Sequence, residues 1–141
     1  MAFRHARLAS DVLTDPAVIA QSVRRLIAAH IVSVEQLEVL LLLREHRDRS
    51  WTVEQVNDRI SSSPSSVASR LVDLERRGFV RHDGTGFRYQ GSTIHETALT
   101  ELAAAYAERK YSVIELIFAR ATEKLRAFAD AFRVRRGDDD G

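Results

Sequence analysis

Serines dominate the stretch SSSPSSVASR at residues 61–70, and an arginine closes it. Hydroxyls donate hydrogen bonds without bulk, and a helix that begins here also presents free backbone N–H groups and partial positive charge, which suit a phosphate. Arginine can pair with a guanine edge. The residues that combine these properties are Ser62, Ser63, Ser65, Ser66, Ser69 and Arg70. They predict a surface that binds a phosphate backbone, although serines before a helix are also common caps and turn formers.

A helix of about residues 64–77 must position this surface. Ser63 is the best N-cap, and Pro64 stands at the first helical position, where its missing N–H costs nothing. The apolar stripe of the helix is Val67, Leu71 and Leu74. Helical spacing then places Ser65, Ser69 and Arg76 on the opposite face, with Ser66, Arg70 and Asp73 on one flank. Gly78 suits the left-handed residue that ends a helix.

The segment FVRHDGTGFRY changes from helical to strand periodicity. It predicts two short strands, within residues 79–90, around a tight turn at residues 83–86. Val80, Phe87 and Tyr89 would face the core. Alternation would then send Arg81 and Arg88 outward, where they can bind adjacent phosphates or enter a minor groove.

Two further helix starts precede the serine stretch. Thr52 and Gln55 have capping-box spacing at the start of a short helix, and Ser33 and Gln36 have the same spacing before a leucine-rich helix. The leucine-rich helix is apolar around most of its circumference, which is typical of the central helix of a bundle. A first helix, capped by Asp15, is predicted before it.

The C-terminal region carries an apolar seam in heptad spacing: Ile114, Phe118, Ala121, Leu125, Phe128 and Phe132. Intramolecular core is the commoner use of such a seam. Three phenylalanines at the end of a small chain instead favour a contact between subunits. We therefore predict a dimerisation surface at Ile114, Phe118, Leu125, Phe128 and Phe132. Thr122 would cap a separate final helix if the seam is interrupted near residues 120–123.

The order of helix, short capped helix, serine turn, second helix and hairpin resembles a winged helix-turn-helix. The resemblance covers roughly residues 33–90 and is to bacterial transcriptional regulators that are broadly MarR-like. It is carried by Trp51-Thr52-Val53, by SSVASRL at 65–71 and by LERRGFV at 74–80. It implies a mainly α fold with a small β-hairpin, flanked by N- and C-terminal helices. The domains implied are an arm and helix at 1–32, the winged helix-turn-helix at 33–91, a helical dimerisation region at 92–135 and a disordered acidic tail at 136–141.

Composition narrows the function classes. With 45% hydrophobic residues in 141 the chain suits one compact domain, and with no cysteine it has no disulfide or thiolate metal site. HETAL at 95–99 lacks the second histidine of a zinc-binding helix. No apolar run is long enough to span a bilayer and the N-terminus lacks a signal-peptide core, so we expect a cytoplasmic protein. No cofactor, metal or catalytic group is predicted.

We therefore expect a homodimeric regulator that binds specific sequences of double-stranded DNA, with helix 64–77 in the major groove and the wing at 79–90 on the backbone or minor groove. The alternative is a winged-helix module that binds protein and not DNA. It is favoured by the small net charge of +1 and by Asp73, an acid close to the proposed DNA-binding face. An enzyme ranks third, because no nucleophile–base pair is visible. A small-molecule effector is possible, but no residue identifies one.

Overall fold

The computed structural model describes residues 19–91 and 94–139, with backbone alone for 134–139. The predicted Asp15 cap lies outside these residues. The helices are α1 Gln21–His30, α2 Val34–Glu45, α3 Val53–Ile60, α4 Pro64–Arg76, α5 Glu96–Glu108 and α6 Lys110–Asp139, and the strands are β1 Val80–His82 and β2 Phe87–Tyr89. This order confirms the mainly α fold with a small hairpin, arranged as a winged helix-turn-helix with flanking helices.

Helix α2 is the centre of the core. Ser33 caps it by accepting a hydrogen bond from the backbone N–H of Gln36 at 3.1 Å. Its apolar residues surround the helix, and those fully buried are Leu37, Val39, Leu40 and Leu43. It packs against α3, α4 and β2, so the helix-turn-helix and the wing share one support.

Gln36 is buried and connects three segments. The expected reciprocal capping box would have its side chain accept from the N-cap residue, Ser33. Instead Gln36 Oε1 accepts from the backbone N–H of Val32 at 2.7 Å, and its Nε2 donates to His30 O at 3.0 Å. Nε2 also lies 3.1 Å from Asp73 Oδ2, on α4. This amide therefore attaches the turn between α1 and α2 to the following helix-turn-helix.

The capping box predicted for α3 is confirmed. Gln55 N–H donates to Thr52 Oγ1 at 3.2 Å, and the Thr52 N–H donates to Gln55 Oε1 at 3.0 Å. The reciprocal bonds satisfy two backbone donors that an eight-residue helix would otherwise leave open. Helix α3 then packs against α4, which completes the helix-turn-helix.

The wing is the antiparallel pair β1–β2, in the register Val80 with Tyr89, Arg81 with Arg88 and His82 with Phe87. Trp51 adds a bridge on the outer side of β2, with two backbone hydrogen bonds of 2.7 Å to Phe87. The sequence analysis did not predict this bridge, because 36 positions separate the two residues. Trp51 is 2% exposed, so the bridge fixes the wing to the core.

A polar cluster attaches the end of the wing to α5. Tyr89 Oη donates to Glu96 Oε2 at 2.6 Å, and Arg44 Nη2 donates to Glu96 Oε1 at 3.0 Å. Burial and the neighbouring Glu96 carboxylate raise the pKa of Tyr89 to about 12, so this phenol stays protonated as the donor. The wing and the C-terminal helices are therefore connected directly.

Helices α1, α5 and α6 form a second layer, in which α1 packs on both of the others. Of the two alternatives for residues 120–123, the structure has the uninterrupted one: α6 is continuous there, and Arg120 pairs with Glu123 at 2.9 Å, one turn apart. The break lies earlier, at Arg109, whose φ of −138° and ψ of 54° are not helical. Positions 136–139 of the expected tail are helical backbone.

Among the residues that the structure describes, no single helix has the length and hydropathy to cross a membrane, whereas the bent pair α1 and α2 together meets that test by length and composition alone.

Candidate nucleic-acid interface

Serines 61 to 63 build the turn into α4. Ser61 has a left-handed φ of 61°, and the Ser62 N–H donates to Asn57 Oδ1 at 3.0 Å. Ser63 is the N-cap, with its Oγ accepting from the Ser66 N–H at 3.2 Å. Pro64 begins the helix as expected. Ser61 therefore forms the turn and Ser63 caps the helix, which are the roles that the alternative interpretation gives to these serines.

Glu35 on α2 binds the flank of α4. Ser66 Oγ donates to Glu35 Oε2 at 2.7 Å, and Arg70 Nε donates to the same oxygen at 3.1 Å. The nearby Ser62 hydroxyl, with the bonds from Ser66 and Arg70, lowers the pKa of Glu35 despite its burial. Two of the predicted DNA-binding residues, Ser66 and Arg70, are thus already held by a carboxylate of the same chain. Sequence spacing gave no signal for this, since 31 to 35 positions separate the partners.

Ser65 and Ser69 lie on the solvent-exposed face of α4, as predicted. Two further residues continue this face toward the helix end. Val72 is 58% exposed, and the Arg76 side chain is 75% exposed. The sequence analysis placed Arg76 here but did not select it for the site, and it missed Val72. We call Ser65, Ser69, Val72 and Arg76 the outer face of α4.

Asp73 does not weaken the outer face in the way the sequence suggested. Arg77 Nε donates to Asp73 Oδ2 at 2.9 Å, and Arg76 pairs with the other oxygen. Burial alone would raise the pKa of Asp73, but the bonds from Arg77 and Arg76 outweigh it and lower that pKa. The carboxylate is therefore neutralised within the helix and also accepts from the buried Gln36.

The wing carries its two arginines side by side in the register. Arg81 is exposed, whereas Arg88 is half-buried and donates through Nη2 to Asp48 O at 3.4 Å, a long hydrogen bond. The turn between them is built around Asp83, whose Oδ1 accepts from the backbone N–H groups of Thr85 and Gly86 at 3.0 and 3.1 Å. The Ser50 hydroxyl donates to the other oxygen, Asp83 Oδ2. The bond from Ser50 and those from Thr85 and Gly86 lower the pKa of Asp83.

Further arginines lie at the base of the wing. The Arg49 guanidinium is 3.8 Å from the centroid of the Trp51 ring, and that of Arg59 is 5.7 Å away. Stacking on an aromatic face orients a guanidinium while leaving its charge exposed. Neither arginine was selected from the sequence.

The predicted dimerisation residues form a row on α6 that the single chain leaves largely exposed. Ile114 is half-buried, whereas the exposed fractions are 63% for Phe118, 71% for Leu125, 72% for Phe128 and 56% for Phe132. The residues that α6 buries against the body of the chain are instead Val113 and Ile117. The expected intramolecular alternative, a seam packed in the core, therefore does not describe this row.

Comparison with known proteins gives one family match. Residues 37–84, about a third of the chain, match the model of the IclR helix-turn-helix domain. No curated protein and no solved structure matches the chain. The matched segment includes α3, α4 and the start of the wing. The similarity supports a helix-turn-helix transcription regulator that binds double-stranded DNA, and it points to a regulator rather than an enzyme. The MarR-like assignment is not confirmed, because the matched model is of the IclR type.

Proposed function

We propose that this protein is a homodimeric regulator that binds specific sequences of double-stranded DNA, with α4 in the major groove and the wing on the backbone or minor groove. The observation that carries the proposal is the outer face of α4. The N-terminal half of this face is polar and lacks bulky side chains, and the face lies on the same helix-turn-helix as an exposed wing arginine, Arg81.

Each residue of the outer face has a role that its chemistry suits. Ser65 and Ser69 would donate to phosphates or base edges near the helix N-terminus, where the backbone can approach closely. Val72 would contact a thymine methyl group, because an aliphatic side chain forms no hydrogen bond and that methyl is the apolar group of the major groove. Arg76, whose exposed ion pair with Asp73 stabilises it little, would bind a phosphate.

Arg70 would act from the flank of the helix. Its Nε is bound to Glu35, whereas its two terminal nitrogens have no hydrogen bond among the described residues. Those two N–H groups form the edge that can pair with a guanine. Three more serines would support the same end of the helix: Ser62 through the turn, Ser63 through the cap and Ser66 through its bond to Glu35.

Arg81 and Arg88 would anchor the wing. Arg81 is free to bind a phosphate or to enter the minor groove, whereas Arg88 must first release its long bond to the Asp48 carbonyl. We therefore assign Arg81 the larger contribution.

The exposed row on α6 supports the homodimer. Large apolar side chains that stay 56–72% exposed in one chain are unfavourable in water and suit a subunit contact. Dimerisation would place two outer faces on one palindromic site, so two weak contacts would act together.

The test is fluorescence anisotropy with duplexes from upstream of the gene for this chain, in a salt series, against scrambled competitors. We expect salt-dependent binding that the scrambled duplex competes for poorly. Arg81→Ala should lower the affinity several-fold and reduce the salt slope by about 1. The matched control is Arg126→Ala, an exposed arginine on α6, which should bind like wild type. No binding, or affinity indifferent to salt, would contradict DNA binding.

A further inference from the structure

Helix α6 extends beyond the body of the chain. It contacts α1 and α5. Of its residues up to 133, the last buried one is Ile117, and every residue from 122 to 133 is exposed. An isolated helix is marginal in water, and a helix with large apolar residues on one side is normally stabilised by packing that side. Five of the eight strongly exposed large hydrophobic side chains among the described residues lie on α6: Tyr111, Phe118, Leu125, Phe128 and Phe132.

The exposed area is sufficient for a second copy of the same helix. From their exposed fractions, Phe118, Leu125, Phe128 and Phe132 together present roughly 500 Å² per chain, at ~200 Å² for a whole aromatic side chain. Two copies would therefore bury about 1,000 Å², the lower limit for a specific interface.

We propose that α6 pairs with α6 of a second copy in antiparallel orientation, with the two-fold axis at residue 123. This inference rests on the homodimer proposed above and specifies its register. In that register Ala121 faces the partner's Leu125, Phe118 faces the partner's Phe128, and Ile114 faces the partner's Phe132. Heptad spacing of 4, 3, 4, 3 and 4 keeps all these layers on one line.

Side-chain size favours this orientation over a parallel one. In a parallel pair each residue meets its own copy, so two alanines at 121 leave a void. The antiparallel register places Ala121 against the partner's Leu125 and thus fills that layer with one small and one larger side chain. Filling the layer avoids a cavity, which would destabilise the interface.

The helix dipoles favour the same orientation. A parallel pair would place like ends of the two dipoles side by side, whereas the antiparallel pair places each helix start beside the partner's helix end. It also places the two folded bodies at opposite ends of the helix pair, because each body binds α6 near residues 113–117.

Disulfide mapping tests the register, since the native chain has no cysteine. In the proposed pair, position 121 lies level with the partner's position 125. Each of these positions is offset by about 6 Å along the helix axis from the same position in the partner. Together with the separation between the two helices, this offset takes the Cα–Cα distance beyond the ~7 Å limit for a disulfide. Mixing tagged Ala121→Cys with untagged Leu125→Cys chains under mild oxidation should therefore give the mixed dimer. Crosslinking of either variant with itself would show a parallel pair and overturn the proposal.

A charge substitution tests whether this surface forms the dimer. Phe128→Glu should give a monomer by light scattering. The emission of Trp51 in the body of the chain should match wild type, because Phe128 is 72% exposed in the single chain. The matched control is Ala127→Glu, which places the same charge on an adjacent exposed position and should stay dimeric. A dimeric Phe128→Glu variant would overturn the pairing, as would a monomeric wild type. Anisotropy on the same samples reports DNA binding separately, so failure of the register and failure of the proposed function are distinguishable.

Discussion

Gly86 permits a close approach between the backbone of the wing and that of Trp51. A Cβ added there would lie 2.4 Å from the carbonyl oxygen and 2.7 Å from the carbonyl carbon of Trp51, which are backbone atoms and cannot move alone. Trp51 and Phe87, the residue after Gly86, make the paired hydrogen bonds that attach the wing to the core. A side chain at Gly86 must therefore separate the wing from that bridge.

We expect Gly86→Ala to lower the free energy of unfolding by about 1–3 kcal/mol, as overpacking typically does. Trp51 is the single tryptophan of the chain, so its fluorescence reports the bridge directly. The control is Gly84→Ala. It strains a φ of +96° but meets nothing within 4 Å, so it should cost stability while leaving the tryptophan emission unchanged. An unchanged emission spectrum for Gly86→Ala would contradict the steric argument.

Helix α4 is held to α2 through Glu35, an acid beside the end of the helix that is proposed to approach DNA. The side chains of Glu35 and Arg70 are 19% and 32% exposed, so their ion pair is partly screened by water. The carboxylate pairs with Arg70 and would place negative charge near the phosphates of DNA bound in the proposed orientation. In that orientation Glu35 would stabilise the contact between α2 and α4 but weaken DNA binding.

We expect Glu35→Gln to lower stability by roughly 1 kcal/mol, since the amide keeps an acceptor but loses the charge. The same change should raise DNA affinity at low salt and steepen the salt slope, measured by anisotropy. Glu38→Gln is the matched control on the same helix. It removes a carboxylate that accepts from Tyr106 Oη at 2.7 Å, away from α4, and should change stability alone. Weaker DNA binding by Glu35→Gln would contradict the repulsion.

His30 lies where the main parts of the molecule meet. Its ring centroid is 5.2 Å from that of Phe79, which leads into the wing, and 5.0 Å from that of His95 at the start of α5. Burial, then the charges of His95 and Arg77, lower the pKa of His30 below its ordinary value. Protonation of this ring would therefore weaken the junction of α1, the wing and α5.

The lowered pKa of His30 determines how the stability of the fold depends on pH. Below about pH 6.5 the unfolded chain protonates His30 while the folded chain resists, so stability falls as pH decreases, by at most about 1.4 kcal/mol per pH unit. We expect His30→Phe to lose less stability than wild type between pH 7 and 5.5 in urea unfolding, with the comparison anchored at pH 8. Equal losses in both proteins would contradict this role.

A second loss of stability should follow in stronger acid. The Tyr89 hydroxyl lowers the pKa of Glu96 more than any other group does, and the pKa values of Glu35 and Asp73 are also lowered. Groups with depressed folded pKa values stabilise the native state above their unfolded values, near pH 4, and lose that contribution as pH falls further.

Local rules in the sequence determined most of the elements. The caps at Ser33, Thr52 and Ser63, the proline at 64 and the positive φ of Gly78 depend on neighbours within a few positions, and so they could be identified without tertiary contacts. Helical and strand periodicity likewise identified the buried stripe of α4 and the hairpin. The same periodicity placed Ser65, Ser69 and Arg76 on the outer face of α4 but did not identify Val72.

Tertiary structure alone decided which of those side chains remain available. The bond of Arg70 to Glu35, the bond of Gln36 to Asp73 and the bridge of Trp51 to Phe87 join residues far apart in sequence. Periodicity also could not tell that the heptad row of α6 is exposed while Val113 and Ile117 beside it are buried. Local spacing determines which residues share a face, whereas the packing of distant elements determines what that face meets.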